Sequence, residues 1–256
     1  MKLIFNLLRC VVIAGLSQCP LLNAEPLEVG ADISLKGVLK ELAESFPGNT
    51  SNIQVSLNLA PSGILREKIE EGKESFDIFI GTSQGEITAL SKVKKVYDTT
   101  ATRLAENHVV LVSVWPVKTD QNWLELAETQ WKRMVLANPQ TTMSGVVAQN
   151  LLGAEGFLEN WSGQIIYENS SEKVLEWVKR ARADAGILYY SDTVQLRPPE
   201  TFHVFEIDAM RAFPIIYYGV VLSTARDVKE SEHFLKFIAD EAQDTIWQRW
   251  GFNPKN

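Results

Sequence analysis

Extended and helical signatures alternate along almost all of this chain, and that alternation restricts the fold more than any other feature. Leu27-Glu28-Val29 reads as a short strand. Leu35, Val38, Leu39, Leu42, Ala43 and Phe46 follow at i, i+3, i+4, i+7, i+8 and i+11, one apolar helix face. Pro47-Gly48-Asn49 ends that helix. Ile53, Val55, Leu57 and Leu59 alternate with polar residues, the period of a strand. Ser62 opens a helix carrying Ile64, Leu65 and Ile69, closed by Gly72. Phe76-Asp77-Ile78-Phe79-Ile80 is a short apolar strand, and a helix follows from about Ser83. Such repeated alternation predicts an α/β fold with mostly parallel sheets.

A second α/β block follows. Val109 to Trp115 is a long apolar strand, and Met134 to Ala137 a strand leading to a helix from Ser144. Gln164 to Tyr167 is extended, Ser170 or Ser171 caps the next helix, and Asp184 to Tyr190 is extended again. Ala212 to Leu222 is another long extended run, and the helical C-terminus stops at Gly251. The long strands near 107–115 and 212–222 bracket the middle block and read as two crossovers of a hinge. Residues 25–106 are then a first lobe, 107–212 a second, and 213–256 complete the first. In open α/β sheets ligands sit beyond the carboxyl ends of the strands. Here that place is the cleft between the lobes.

The first 24 residues stand apart. Lys2 and Arg9 precede an apolar run from Val11 to Leu16, and Leu22-Asn23-Ala24 ends on a small residue. That order is a secretory signal peptide, with the cut expected after Ala24. A lipoprotein cut before Cys19 competes, but Gln18 stands where such signals want a small residue. The apolar run is short of the roughly 20 residues of a membrane span. Both cysteines, Cys10 and Cys19, lie in the leader, so a mature chain has neither thiol nor disulfide. Export without disulfides points to a bacterial periplasm. His108, His203 and His233 show no metal-ligand spacing, and no metal or cofactor is expected. Loss of Lys2 and Arg9 takes the net charge from −7 to −9, which disfavours nucleic acid and anionic membranes as partners.

Two serines sit where a strand turns into a helix. One is Ser34 in Gly30-Ala31-Asp32-Ile33-Ser34-Leu35, and the other is Ser62 in Leu59-Ala60-Pro61-Ser62-Gly63. Serine is a favoured N-cap, and a helix start offers free N–H donors with partial positive charge. Two such starts facing each other make a neutral, donor-rich trap for an anion. A rival motif is Gly81-Thr82-Ser83-Gln84-Gly85, a G-x-S-x-G between strand and helix, with Asp208 and His233 following in the Ser–Asp–His order. An exported serine esterase built on Ser83 is the enzyme alternative. It lacks a preceding Gly-rich oxyanion segment, and its elbow comes only three strands into the mature chain.

The order of short motifs over some 220 residues resembles the periplasmic molybdate-binding proteins of ABC importers. The signposts are Ala31-Asp32-Ile33-Ser34-Leu35, Ala60-Pro61-Ser62, Phe76 to Ile80, Asn138-Pro139 to Ser144-Gly145, Ala185 to Asp192, and Arg249-Trp250-Gly251-Phe252. The resemblance implies two lobes that close on a tetrahedral dianion held by neutral donors. It implies ligand contacts at Ser34, Ser62, Ser144, Ser171 and Tyr189. It also implies molybdate or tungstate as ligand, a membrane permease as partner, a monomeric state and no catalysis. Asp32, Pro61 and Gly63 depart from the family pattern, which leaves sulfate, phosphate or a small carboxylate as alternative ligands. Asp32 is a candidate acceptor for a protonated anion such as hydrogen phosphate, but the expectation is that it faces away from the cleft, capping or pairing elsewhere. A sensor or adhesin on the same fold is a third class, because fold alone does not fix function.

Overall fold

The computed structural model describes residues 25–48, 53–116, 123–154, 156–194, 202–206 and 213–254. The expected leader, with Cys10, Cys19 and the Ala24 cut, lies outside the described residues, as does Asp208. Eleven strands form two sheets among the described residues. The first contains β1 (Leu27–Asp32), β2 (Val55–Ala60), β3 (Ile78–Gly81), β4 (Thr102–Asn107), β10 (Ile215–Val221) and β11 (Asn253–Pro254). Its order is β11-β4-β10-β3-β1-β2. The second contains β5 (Val109–Ser113), β6 (Arg133–Ala137), β7 (Gln164–Glu168), β8 (Ala185–Tyr189) and β9 (His203–Phe205), in the order β7-β6-β8-β5-β9.

The α/β class holds, but the sheets are mixed rather than mostly parallel. Four strand pairings are parallel, β1 with β2 and β3, and β6 with β7 and β8. Five are antiparallel, and every one involves β5, β10 or β11. The physical reason is the hinge. A chain that leaves a sheet and re-enters it from the far lobe returns against the direction of the βα units. The crossovers also differ in detail from expectation. The first is the direct passage from β4 to β5 at His108. The run around 212–222 does not itself span both sheets, because β10 pairs only within the first. The chain passes between sheets in the stretch from Phe205 to Ile215.

Side chains on the first sheet alternate as a two-sided core requires. Ile78 and Ile80 of β3 face α1 (Lys36–Ser45) and α9 (Val228–Ile238), where Leu39, Leu42, Phe234 and Leu235 are buried. Phe79 faces the opposite way, onto α2 (Ser62–Glu70) and α3 (Gln84–Lys92) through Leu65, Ile69, Ile87 and Leu90. In the second sheet Val110 and Val112 meet Val174 and Val178 of α7 (Ser171–Lys179). Val109 and Leu111 join a cluster with Val147, Leu151 and Leu152 of α5 (Met143–Ala154). The shorter helices are α4 (Trp123–Thr129), α6 (Phe157–Asn160), α8 (Ser191–Val194) and α10 (Asp244–Arg249).

The C-terminus returns to the first lobe through specific contacts. Arg249 pairs with Glu41 of α1, and Trp250 Nε1 donates to Glu41 at 2.8 Å. Gly251 ends the helix at φ +81°, a conformation that favours glycine, with Ser191 and Val194 of the second lobe close against it.

Candidate functional site

Four helix starts lie at the carboxyl ends of strands and meet between the lobes. From the first lobe come the 3₁₀ turn Ile33–Leu35, which runs on into α1, and the start of α2. From the second come the starts of α5 and α7. The lobes touch here. A Cβ added to Gly63 would stand 3.0 Å from the carbonyl oxygen of Thr141, so the absent side chain is what permits this approach.

Asp32 is the centre of the first-lobe half, and it does not face away. Its Oδ1 accepts from Ser34 N at 3.0 Å and from the Ser34 hydroxyl at 2.6 Å. Its Oδ2 accepts from Ser62 N at 2.8 Å. The N–H groups of the two helix starts thus converge on one carboxylate, and it is the chain's own Asp32. This corrects the expectation that Ser34 and Ser62 are N-caps. Asp32 and Pro61 hold the N-cap positions, Ser62 is the first residue of its helix, and Ser34 is the second residue of the 3₁₀ turn. A carboxylate carries full charge and outcompetes a hydroxyl for orphan N–H groups. The Ser62 hydroxyl instead meets Thr82 Oγ1 at 3.0 Å, and Thr82 donates to Glu86 through N–H at 2.7 Å and hydroxyl at 3.2 Å.

In the second-lobe half, Ser144 N donates to the Tyr189 hydroxyl at 3.1 Å. The Ser171 hydroxyl accepts from Tyr189 N at 2.8 Å, while Ser170 is the N-cap of α7. The Ser144 hydroxyl is fully buried and makes no well-formed hydrogen bond among the described residues, though it lies near enough to the Tyr189 phenol to act on it. Tyr217 of β10 joins the halves. Its hydroxyl lies 2.8 Å from Ser34 Oγ and 3.4 Å from Asn107 Nδ2, and Asn107 also donates to Ser191 Oγ at 2.8 Å. All five serine and tyrosine positions expected from the sequence are therefore gathered at one place.

Burial dominates the electrostatics. It pushes the Asp32 carboxyl up, against the pull of the Ser34 and Ser62 hydrogen bonds. Glu86 is raised by burial, and Asp32 adds repulsion against the hydrogen bonds from Ser62 and Thr82. Asp192 is pushed up to about 7 by burial, with the Ser171 hydroxyl opposing and Asp32 and Glu172 adding to the rise. Burial also lifts both phenols well above their usual range, with Asp32 the first charge acting on each. Tyr189 and Tyr217 are neutral donors at any physiological pH. Among the described residues no three His, Cys, Asp or Glu side chains are placed to hold a metal ion.

Ser83 caps α3, accepting from Glu86 N at 3.3 Å. His233 of α9 sits beside Phe46, with ring centroids 5.0 Å apart. The helices bearing Ser83 and His233 pack on opposite faces of the first sheet, so no serine–histidine pair forms.

Residues 27–253 match the bacterial extracellular solute-binding protein family. The chain belongs to that family. Relatives of this solute-binding protein include the molybdate-binding protein ModA of Haemophilus influenzae, 24% identical over 261 residues and all of both chains. The ModA of Azotobacter vinelandii is 22% identical over 253 residues, 97% of this chain and 98% of that one. Among solved structures, the periplasmic molybdate-binding protein of Azotobacter vinelandii superposes with a TM-score of 0.77 at 20% identity, over 90% of this chain and 100% of its own. The sulfate-binding protein SubI of Mycobacterium tuberculosis superposes at 0.70 with 15% identity, over 90% and 87%. These solute-binding structures share the two-lobed fold.

Thr82, Glu86, Tyr217 and Asp192 stand at the site and were missed by sequence reasoning, which singled out Asp32 but did not place it at the centre. Asp32 carried a usable signal, since an aspartate two residues before the first helix-start serine is a natural cap. Tyr217 carried none, because one tyrosine in an apolar strand looks like core.

Proposed function

We propose that this solute-binding protein captures a tetrahedral oxyanion between its lobes and delivers it to the membrane permease of an ABC importer. The observation that carries the reading is that serines and helix starts of both lobes line one buried place around Asp32 and Tyr189, with the Ser144 hydroxyl making no well-formed hydrogen bond there among the described residues. Ser34, Ser62, Ser144, Ser171 and Tyr189 form the ligand shell. Backbone N–H groups at helix starts supply the field, so no buried cation is needed. Molybdate and tungstate lead the candidates, since two relatives are named for molybdate. A larger anion reaches donors on both lobes, whereas sulfate leaves some hydrogen bonds long. Each buried donor left unpaired costs about 1–3 kcal/mol, so two such losses discriminate tens-fold or more. The mature protein begins at Glu25, works in the periplasm as a monomer and closes about the passages between its two sheets.

Titration calorimetry of the mature chain with molybdate, tungstate, sulfate, phosphate and small carboxylates tests this. Tight binding of molybdate and tungstate is expected, well above sulfate. Failure of every oxyanion to bind refutes the reading.

A further inference from the structure

Three of the first-lobe serine donors go to one acid, Asp32. Ser34 gives its N–H and its hydroxyl to Asp32, and Ser62 gives its N–H. A hydroxyl has one proton. The Thr82 proton goes to Glu86, and the Ser62 hydroxyl lies 3.0 Å from Thr82 Oγ1, where Glu86 and Asp32 also draw on it. The Ser34 proton is on Asp32, so Tyr217 donates to Ser34 Oγ. The donor chains run inward and end on Asp32 and Glu86.

The surroundings of Asp32 are acidic throughout. From α3 it is faced by Glu86, from α8 by Asp192, and from β8 and β10 by the phenols of Tyr189 and Tyr217. Glu172 of α7 acts on Asp192 from behind. The α2 start and the 3₁₀ turn present only Ser62 and Ser34. The ion pairs found among the described residues include none of Asp32, Glu86 and Asp192. A fully ionised oxyanion offers only acceptors. Here it meets a buried negative charge that already holds three of the first-lobe serine donors. Yet the opposite wall has the marks of a ligand site, because the Ser144 hydroxyl is 0% exposed, makes no well-formed hydrogen bond among the described residues and has only the Tyr189 phenol acting on it.

We propose that the site takes its oxyanion together with one proton, and that Asp32 shares that proton with the anion. This deepens the oxyanion reading above and rests on it. With molybdate the proton comes from solution onto an Asp32 carboxylate oxygen. The protonated group then becomes a donor to the anion. The Ser34 hydroxyl is released to turn its proton toward the ligand, and the site loses one negative charge. An oxyanion that already carries a proton meets the same demand without uptake. Burial has already raised the Asp32 carboxyl, which favours the proton. Asp32 is thus a specificity-determining residue that ties dianion capture to pH.

The test is calorimetric titration of the mature protein with molybdate at pH 8, in two buffers of different ionisation enthalpy. A pH series from 7.5 to 9 accompanies it. Uptake of about one proton per molybdate is expected, with affinity falling up to tenfold per pH unit. Asp32→Ala frees the Ser34 and Ser62 donors and removes the charge. It should bind molybdate tenfold or more tighter at pH 8, with no proton uptake and a flat pH profile. Asp32→Asn should likewise lose the uptake. Wild-type binding with no proton uptake and a flat profile overturns the proposal, since Asp32 would then simply swing aside. Uptake that persists in both variants overturns it too, by assigning the proton to Glu86 or Asp192. Absence of oxyanion binding in wild type and both variants overturns the oxyanion reading itself, and the proposal with it.

Discussion

Gly63→Ala should strengthen the fold and weaken the function. Gly63 is the second residue of α2, a nine-residue helix. Replacing a helical glycine with alanine stabilises by roughly 0.5–1 kcal/mol, with the lower figure appropriate so near the helix start. The same methyl group meets the Thr141 carbonyl at 3.0 Å when the lobes are together. That is tighter than ordinary van der Waals contact, and the opposing atom is backbone, which gives little. Overpacking of this kind costs about 1–3 kcal/mol. The cost falls only on the closed arrangement and the helical gain on both. Ligand-free protein should therefore melt slightly higher than wild type, while oxyanion affinity drops between fivefold and about a hundredfold. Thermal unfolding without ligand and calorimetry with molybdate read the two effects separately. Unchanged affinity in a stabilised variant would refute the claim that ligand capture brings Gly63 against Thr141.

Three further outcomes are expected. Ser83→Ala should lose about 1 kcal/mol of stability through its cap on α3 yet leave oxyanion affinity near wild type. Ser62→Ala should weaken binding by roughly tenfold or more through a lost charge-assisted hydrogen bond. The reverse pattern, or an ester-hydrolysing activity that vanishes with Ser83, would revive the esterase alternative. Asp77 is buried and would be raised, but hydrogen bonds from Arg226 and from Glu28 N hold its carboxyl below the usual range. A depressed carboxylate stabilises the fold above its unfolded pKa, and that contribution is lost as pH falls through the folded value. Asp77→Asn should cost about 1–3 kcal/mol near pH 7, mostly through the backbone N–H bonds because Arg226 is half exposed, and the gap should narrow below roughly pH 4. Mass spectrometry of exported protein should find Glu25 at the N-terminus, and a lipidated Cys19 would contradict the cleavage site.

Local pattern carried the scaffold and part of the site. The period of two in Ile53 to Leu59 and the 3.6 period in Leu35 to Phe46 survive as β2 and α1, because each has one face to bury. The helix-start serines could be located because strand-to-helix turns are local chemistry. Antiparallel returns through β5 and β10 could not be read, because direction in a sheet depends on where the chain re-enters after a crossover. Asp32 was visible as a residue but not as a centre. Its three donors come from two segments about 30 positions apart, and only the parallel pairing of β1 with β2 brings Ala60, and so Ser62, beside it. Tyr217 lies 183 positions from Ser34, a contact that no local signal announces.

The central claim concerns a place, so the most direct measurement locates the ligand. Crystals of the mature protein grown with tungstate, measured at the tungsten absorption edge, give an anomalous peak at the metal position. The account expects one strong peak between the lobes, within hydrogen-bonding reach of Ser34, Ser62, Ser144, Ser171 and Tyr189 through the anion oxygens. A strong peak elsewhere on the molecule, or no peak between the lobes under tungstate-saturating conditions, would contradict it.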